Sequence, residues 1–142
     1  MKQQCDIYFD IDGVLLINEK NAAPYASELI NYTLDRMPGS VYWLTTHCWR
    51  GENRTYDLLS PVLSGAAAGR LHNIKATDWG ELKTDAIDFS KPFLWLDDDL
   101  YDEERAVLER HGALGSFVYI DLAKNSYQLK GVLDMLQVRF GQ

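Results

Sequence analysis

Cys5-Asp6-Ile7-Tyr8-Phe9-Asp10-Ile11-Asp12-Gly13-Val14-Leu15 joins a short β-prone run to an aspartate pair and a glycine. Asp and Gly end a strand and open a turn, so Cys5 to Phe9 reads as a first strand with Asp10 to Gly13 as the loop at its carboxyl end. Alone, Asp-x-Asp-Gly is a common turn. Behind a buried strand it becomes a candidate site, because open α/β sheets bind ligands outside the carboxyl ends of their strands.

The chain downstream repeats the strand-then-helix pattern. Pro24 opens a helix whose apolar face is Leu29, Ile30, Leu34 and Met37, stopped by Pro38-Gly39. Val41 to Leu44 is a second strand ending in Thr45-Thr46. Gly51 to Leu63 reads as a weaker helix, Leu71 to Ile74 as a short strand, and a helix starts near Leu82 and ends before Pro92. Phe93-Leu94-Trp95-Leu96 is an all-apolar strand running into Asp97-Asp98-Asp99. Asp102 can cap a helix from Glu103 to His111, Phe117 to Ile120 is a further strand, and Leu129, Val132, Leu133, Leu136 and Phe140 mark a closing amphipathic helix. Strands with little alternation separated by helices imply a sheet covered on both faces. The expected fold is therefore α/β: a doubly wound, mostly parallel, five-stranded sheet in a single domain, 1–142.

At 142 residues the chain falls in the single-domain range, and 46% hydrophobic with 25% charged residues excludes disorder and low-complexity architectures. The formal charge is −7, so nonspecific nucleic-acid binding is not expected and a nucleic-acid end would need a local cationic patch. No apolar run is long enough to span a bilayer, and Asp6 stands where a signal peptide would be apolar, so a cytoplasmic protein without membrane contact is expected. Two cysteines, Cys5 and Cys48, without CxxC spacing support neither a zinc site nor a disulfide framework.

Three strand ends carry chemistry: Asp10 and Asp12, Thr45, and Asp97 to Asp99. Carboxylates sharing one small volume repel by up to about 4 kcal/mol per pair at 4 Å and an effective dielectric of 20. A cation must offset that, and oxygen-only ligands favour Mg²⁺ over zinc. Lys83, ahead of the Phe93 strand, can bring a fixed positive charge to the same edge, and Thr45 with the Thr46 backbone N–H can bind a phosphate oxygen. Together these residues specify a phosphoryl transfer: the Asp10 carboxylate attacks phosphorus, and Asp12 protonates the leaving oxygen and later deprotonates water.

With these residues in view, the chain resembles the haloacid dehalogenase-like (HAD) hydrolase superfamily. Asp10-Ile11-Asp12-Gly13-Val14-Leu15 matches its first motif, Val41 to Leu44 with Thr45 its second, Lys83 its third, with Lys75 the weaker candidate, and Trp95-Leu96-Asp97-Asp98 its fourth. The resemblance implies a HAD-like Rossmannoid fold, a nucleophile at Asp10 and an acid/base at Asp12, the residue type of the phosphatases. It implies a Mg²⁺ ion held by Asp10, the Asp12 backbone carbonyl and Asp98, with Asp97 supporting the metal or Lys83. Gly13 and Val41 enclose 27 residues, and Thr45 and Lys83 enclose 37, too few for a folded cap, so a capless, open site is expected.

Thr46-His47-Cys48-Trp49-Arg50 and Arg54 form the expected substrate-facing segment, in which Arg50 grips a phosphate and Trp49 stacks on a base. With Trp95 to Asp99 it also resembles HAD domains of RNA-repair proteins, so the phosphorylated substrate includes a nucleotide or nucleic-acid end among its candidates. His72 and His111 read as structural. Two other readings keep the fold. One is a phosphoaspartate receiver, in which the acidic pair precedes the acceptor aspartate, the reverse of the order here; the other is a catalytically silent interaction domain.

Overall fold

The computed structural model describes residues 4–142. Its sheet has four strands, β1 (Asp6–Phe9), β4 (Val41–Trp43), β7 (Phe93–Asp97) and β8 (Phe117–Tyr119), ordered β4-β1-β7-β8 and parallel throughout. Two short antiparallel hairpins lie outside it: β2 (Leu16–Asn18) with β3 (Asn21–Ala22), and β5 (Cys48–Trp49) with β6 (Glu52–Asn53). The helices are α1 (Ala26–Arg36), α2 (Thr55–Leu59), α3 (Ala67–Arg70), α4 (Asp102–Arg110) and α5 (Gln128–Phe140). Among the described residues no helix is long and apolar enough to cross a membrane.

Successive strand residues alternate between two cores, which is why the strands read as continuous apolar runs. Ile7, Phe9, Val41, Trp43, Leu94 and Leu96 pack with Leu29, Ile30 and Leu34 of α1 and with Leu129, Val132 and Leu136 of α5. Tyr8, Phe93 and Trp95 belong to a second cluster with Ile87 and with Leu108 of α4.

Four sequence expectations fail locally. The strand expected over Leu71 to Ile74 is a 3₁₀ turn, Leu71–Asn73, and Lys75 after it joins the sheet through one bridge to Tyr42. Leu71 and Ile74 are both buried, a spacing of three that suits a tight turn and not the period of a strand. The fifth strand is thus reduced to a single bridge at the β4 edge. The helix expected over Gly51 to Leu63 is split. Arg50 (φ 52°) and Gly51 (φ 85°) form the positive-φ turn of the β5–β6 hairpin, and only α2 is helical afterwards.

The helix expected from Leu82 is a single 3₁₀ turn, Lys83–Ala86. The Asp85 carboxylate accepts the Leu82 N–H at 3.2 Å, and Ile87 returns to extended geometry to enter the second core. The helix after Asp97 does form, but Asp102 is its first residue and not its cap. The Glu104 side chain instead reaches back to the Tyr101 N–H at 3.1 Å.

Candidate active site

The parallel register brings the chemical groups to one edge. Asp10 follows β1 and donates its N–H to Leu96 O of β7 at 3.0 Å, while Leu44 donates to Phe9 O at 2.8 Å. Asp10, Asp97 and Thr45 are therefore carried on the carboxyl ends of neighbouring parallel strands, and all three are buried. Thr45 Oγ1 accepts the His47 N–H at 3.3 Å, which turns the chain after β4 back toward the loop of Asp12.

Lys83 Nζ stands 2.7 Å from Asp97 Oδ2 and 3.5 Å from Asp10 Oδ2, a lysine shared between two buried carboxylates. Asp97 is further held by the Trp95 indole N–H at 3.1 Å and by the Asp99 N–H at 3.2 Å. Asp98 lies beside them; one oxygen from each of Asp10, Asp97 and Asp98 falls within 4.8 Å of the others. The close approach needs Gly13, whose φ is 75° and at which a Cβ would stand 2.2 Å from Asp98 Oδ2.

Electrostatics reflect three carboxylates facing one lysine. Burial pushes the Asp10 carboxyl up, against the pull of Lys83. Asp97 is raised to about 6 by burial and then by the Asp10 charge, and Asp98 to about 6 by burial and then by Asp97. Burial alone would lower Lys83, but Asp10 and Asp97 outweigh it and hold the ammonium charged. The donors are all oxygen, hard and in excess of positive charge, which fits a divalent cation such as Mg²⁺. Asp97 already serves Lys83 and Trp95, which leaves Asp98 the freer ligand.

Asp12 sits at the mouth, its Oδ2 2.7 Å from His47 Nε2. Asp12 and Thr46 line the same cavity, of about 200 Å³, as Asp10, Lys83, Asp97 and Asp98. Trp49, Arg50 and Arg54 do not. The Trp49 indole N–H donates to Trp79 O at 2.8 Å, and Arg50 lies over the Trp49 ring at 4.3 Å. Arg54 donates its N–H to His47 O at 2.9 Å. Lys75 extends toward the Tyr42 ring, 5.8 Å away, outside the cavity, so among the described residues Lys83 is the one lysine or arginine that lines it. His72 stacks on Tyr56 and His111 on Phe89, structural roles in both cases; Cys48 is buried against Thr77 O.

Sequence reading missed three residues that line the cavity: Trp79, Tyr101 and Glu104. Glu104 had a signal, its position three residues after Tyr101 at a helix start. It is buried and accepts the Lys83 N–H at 3.0 Å besides that of Tyr101, tying the lysine loop to α4. Glu104→Ala leaves both N–H groups without their acceptor. At about 1–3 kcal/mol for each unsatisfied donor, urea unfolding should show a loss of roughly 2–6 kcal/mol, whereas a loss under 1 kcal/mol would mean that water replaces the carboxylate freely.

No family model, curated protein or solved structure matches the chain. The site's own geometry therefore carries the functional reading.

Proposed function

We propose that this chain is a Mg²⁺-dependent phosphomonoester hydrolase of HAD type, a capless single domain on a doubly wound Rossmannoid sheet, working in the cytoplasm. The observation that carries the reading is the shared lysine: Lys83 bridges Asp10 and Asp97 while Asp98 faces the same point. Asp10, Asp98 and the Asp12 backbone carbonyl would hold the ion, with Asp97 behind them. The bound cation supplies charge neutralisation for the phosphoryl oxygens.

Asp10 attacks phosphorus with one carboxylate oxygen; the ester P–O bond breaks and Asp12 gives its proton to the departing alcohol oxygen. Asp12 then takes a proton from water as the water attacks the aspartyl-phosphate, and breaking the Asp10–phosphorus link releases phosphate and restores the carboxylate. Lys83 holds Asp10 ionised and oriented, since an ammonium 3.5 Å away favours the charged form against burial. Thr45 and the Thr46 N–H bind the phosphoryl oxygens, and His47 keeps Asp12 at the mouth.

The test is hydrolysis of a generic aryl phosphate by chelator-treated protein with Mg²⁺ added back. Activity should be absent without the ion, return on titration, and be lost in Asp98→Ala far more than in Asp99→Ala. Activity that survives chelation, or greater sensitivity at Asp99, overturns the metal assignment. Ion binding should also follow pH. Groups raised to about 6 hold protons that a cation must displace, so the Mg²⁺-induced rise in Tm should be small at pH 5 and grow through pH 6 to 7. A rise equal at both ends would place the ion elsewhere.

A further inference from the structure

The cavity over Asp10 has two kinds of wall. Carboxylates line it together with Lys83, the sole lysine or arginine there among the described residues, and two aromatic residues, Trp79 and Tyr101, complete the lining. Tyr101 is 57% exposed, so its ring is available to a ligand at the rim. Trp79 is partly exposed and packs on Trp49, with ring centroids 5.9 Å apart. Its indole N–H is buried without a partner among the described residues, so packing and the Trp49 bond to its carbonyl, not its own donor, hold the ring.

The spacing of these walls is set in advance. Glu104 grips the N–H groups of Lys83 and Tyr101, and so ties together the two segments that present Trp79 and Tyr101. Trp79 also separates this cavity from a second one lined by Arg50, Asp78, Gly80 and Asp85, which leaves room beyond its edge.

A phosphate ester placed with phosphorus at Asp10 must put its alcohol portion along these walls. An additional anion there would face Asp12 and Asp99, so the alcohol portion is uncharged. An ionised carboxylate such as Asp99 accepts hydrogen bonds only, so an alcohol portion with donors suits it. Flat aromatic walls accept a flat ring. A planar ring on a hydroxyl-bearing alcohol meets all three demands. We propose that Trp79 and Tyr101 are specificity-determining residues that hold the base of a nucleoside monophosphate, a proposal resting on the phosphatase reading above.

The experiment compares esters of primary alcohols, so that leaving-group reactivity is matched. Adenosine 5′-monophosphate is set against ribose 5-phosphate, which lacks the base, and benzyl phosphate against cyclohexylmethyl phosphate, which lacks the planar ring. The wild-type kcat/KM should favour adenosine 5′-monophosphate over ribose 5-phosphate by about 25-fold or more, the product of two base stacks at the low end of their range. Trp79→Ala and Tyr101→Ala should each cut that preference by roughly 5-fold to 150-fold, the range of one lost base stack, and should do so in KM. Trp79→Phe should keep most of it, which a merely structural role does not require. A wild-type ratio near one, or a ratio that neither alanine variant moves, overturns the proposal and leaves the phosphatase reading standing. A preference for benzyl over cyclohexylmethyl phosphate without one for adenosine 5′-monophosphate overturns the nucleoside assignment. If no ester is turned over, the phosphatase reading fails, and calorimetry of adenosine 5′-monophosphate with the Mg²⁺-supplemented protein decides this proposal. Binding weakened by Trp79→Ala and kept by Trp79→Phe supports it, and binding indifferent to both overturns it.

Discussion

Asp10→Asn is expected to lower turnover of every phosphate ester by about 10⁴-fold or more while the protein stays folded. The asparagine amide has no anionic oxygen to attack phosphorus, and no other carboxylate can take the role without moving: Asp97 is pinned by Lys83, Trp95 and the Asp99 N–H. The fold should tolerate the change because the amide fills the same space and removes one of the buried charges that raise Asp97. Thermal unfolding without metal should give a Tm at or above that of the wild type, and the Mg²⁺-induced rise in Tm should shrink. Residual activity within tenfold of wild type would show that the nucleophile is another residue.

Lys83→Met carries the second large effect, on stability as well as rate. Removing one partner of a buried ion pair leaves an uncompensated charge and costs about 3–5 kcal/mol. Here the lysine serves two carboxylates, and both are buried. They can escape only by taking up protons. A carboxyl whose pKa is raised in the folded state contributes stability that is full below its unfolded pKa and is lost as pH rises through the folded value. Asp97 stands at about 6 even with Lys83 beside it, and loss of the lysine moves it higher. The deficit of Lys83→Met in metal-free urea unfolding should therefore be modest at pH 5 and reach its full size by pH 8. Turnover should fall as well, since Asp10 then loses the neighbouring charge that favours its ionised form against burial. A deficit that is equal at both pH values would point to lost packing of the lysine stem, and not to unpaired carboxylates, as the cause.

The residues at the centre of the site were legible because each sits directly after an apolar run. Asp10 follows Phe9, Thr45 follows Leu44 and Asp97 follows Leu96, and strands that feed a parallel sheet bring such positions to one edge. Lys83 was legible as a fixed cation at the same edge, supported by Asp97; that it forks between Asp10 and Asp97 depends on a loop that leaves the helical path expected from Leu82. Which aromatic residues line the cavity was hidden for the same reason. Trp49 and Arg50 belong to a motif-like stretch, but the turn at Arg50-Gly51 folds them behind Trp79, which carries no local pattern of its own.

By itself the sequence determined the alternation of apolar runs and helices, the parallel sheet that follows from it, and the aspartates and threonine at the strand ends. These are consequences of local chemistry, in which hydrophobic spacing, Pro and Gly act within a few residues of one another. Only the tertiary structure decided which groups meet. The single Tyr42–Lys75 bridge in place of a fifth strand, the His47–Asp12 pair and the grip of Glu104 on the Lys83 N–H each join segments far apart in the chain. Their cause is the packing of loops over a finished sheet edge, where each buried N–H and carboxylate must find a partner that no local spacing specifies.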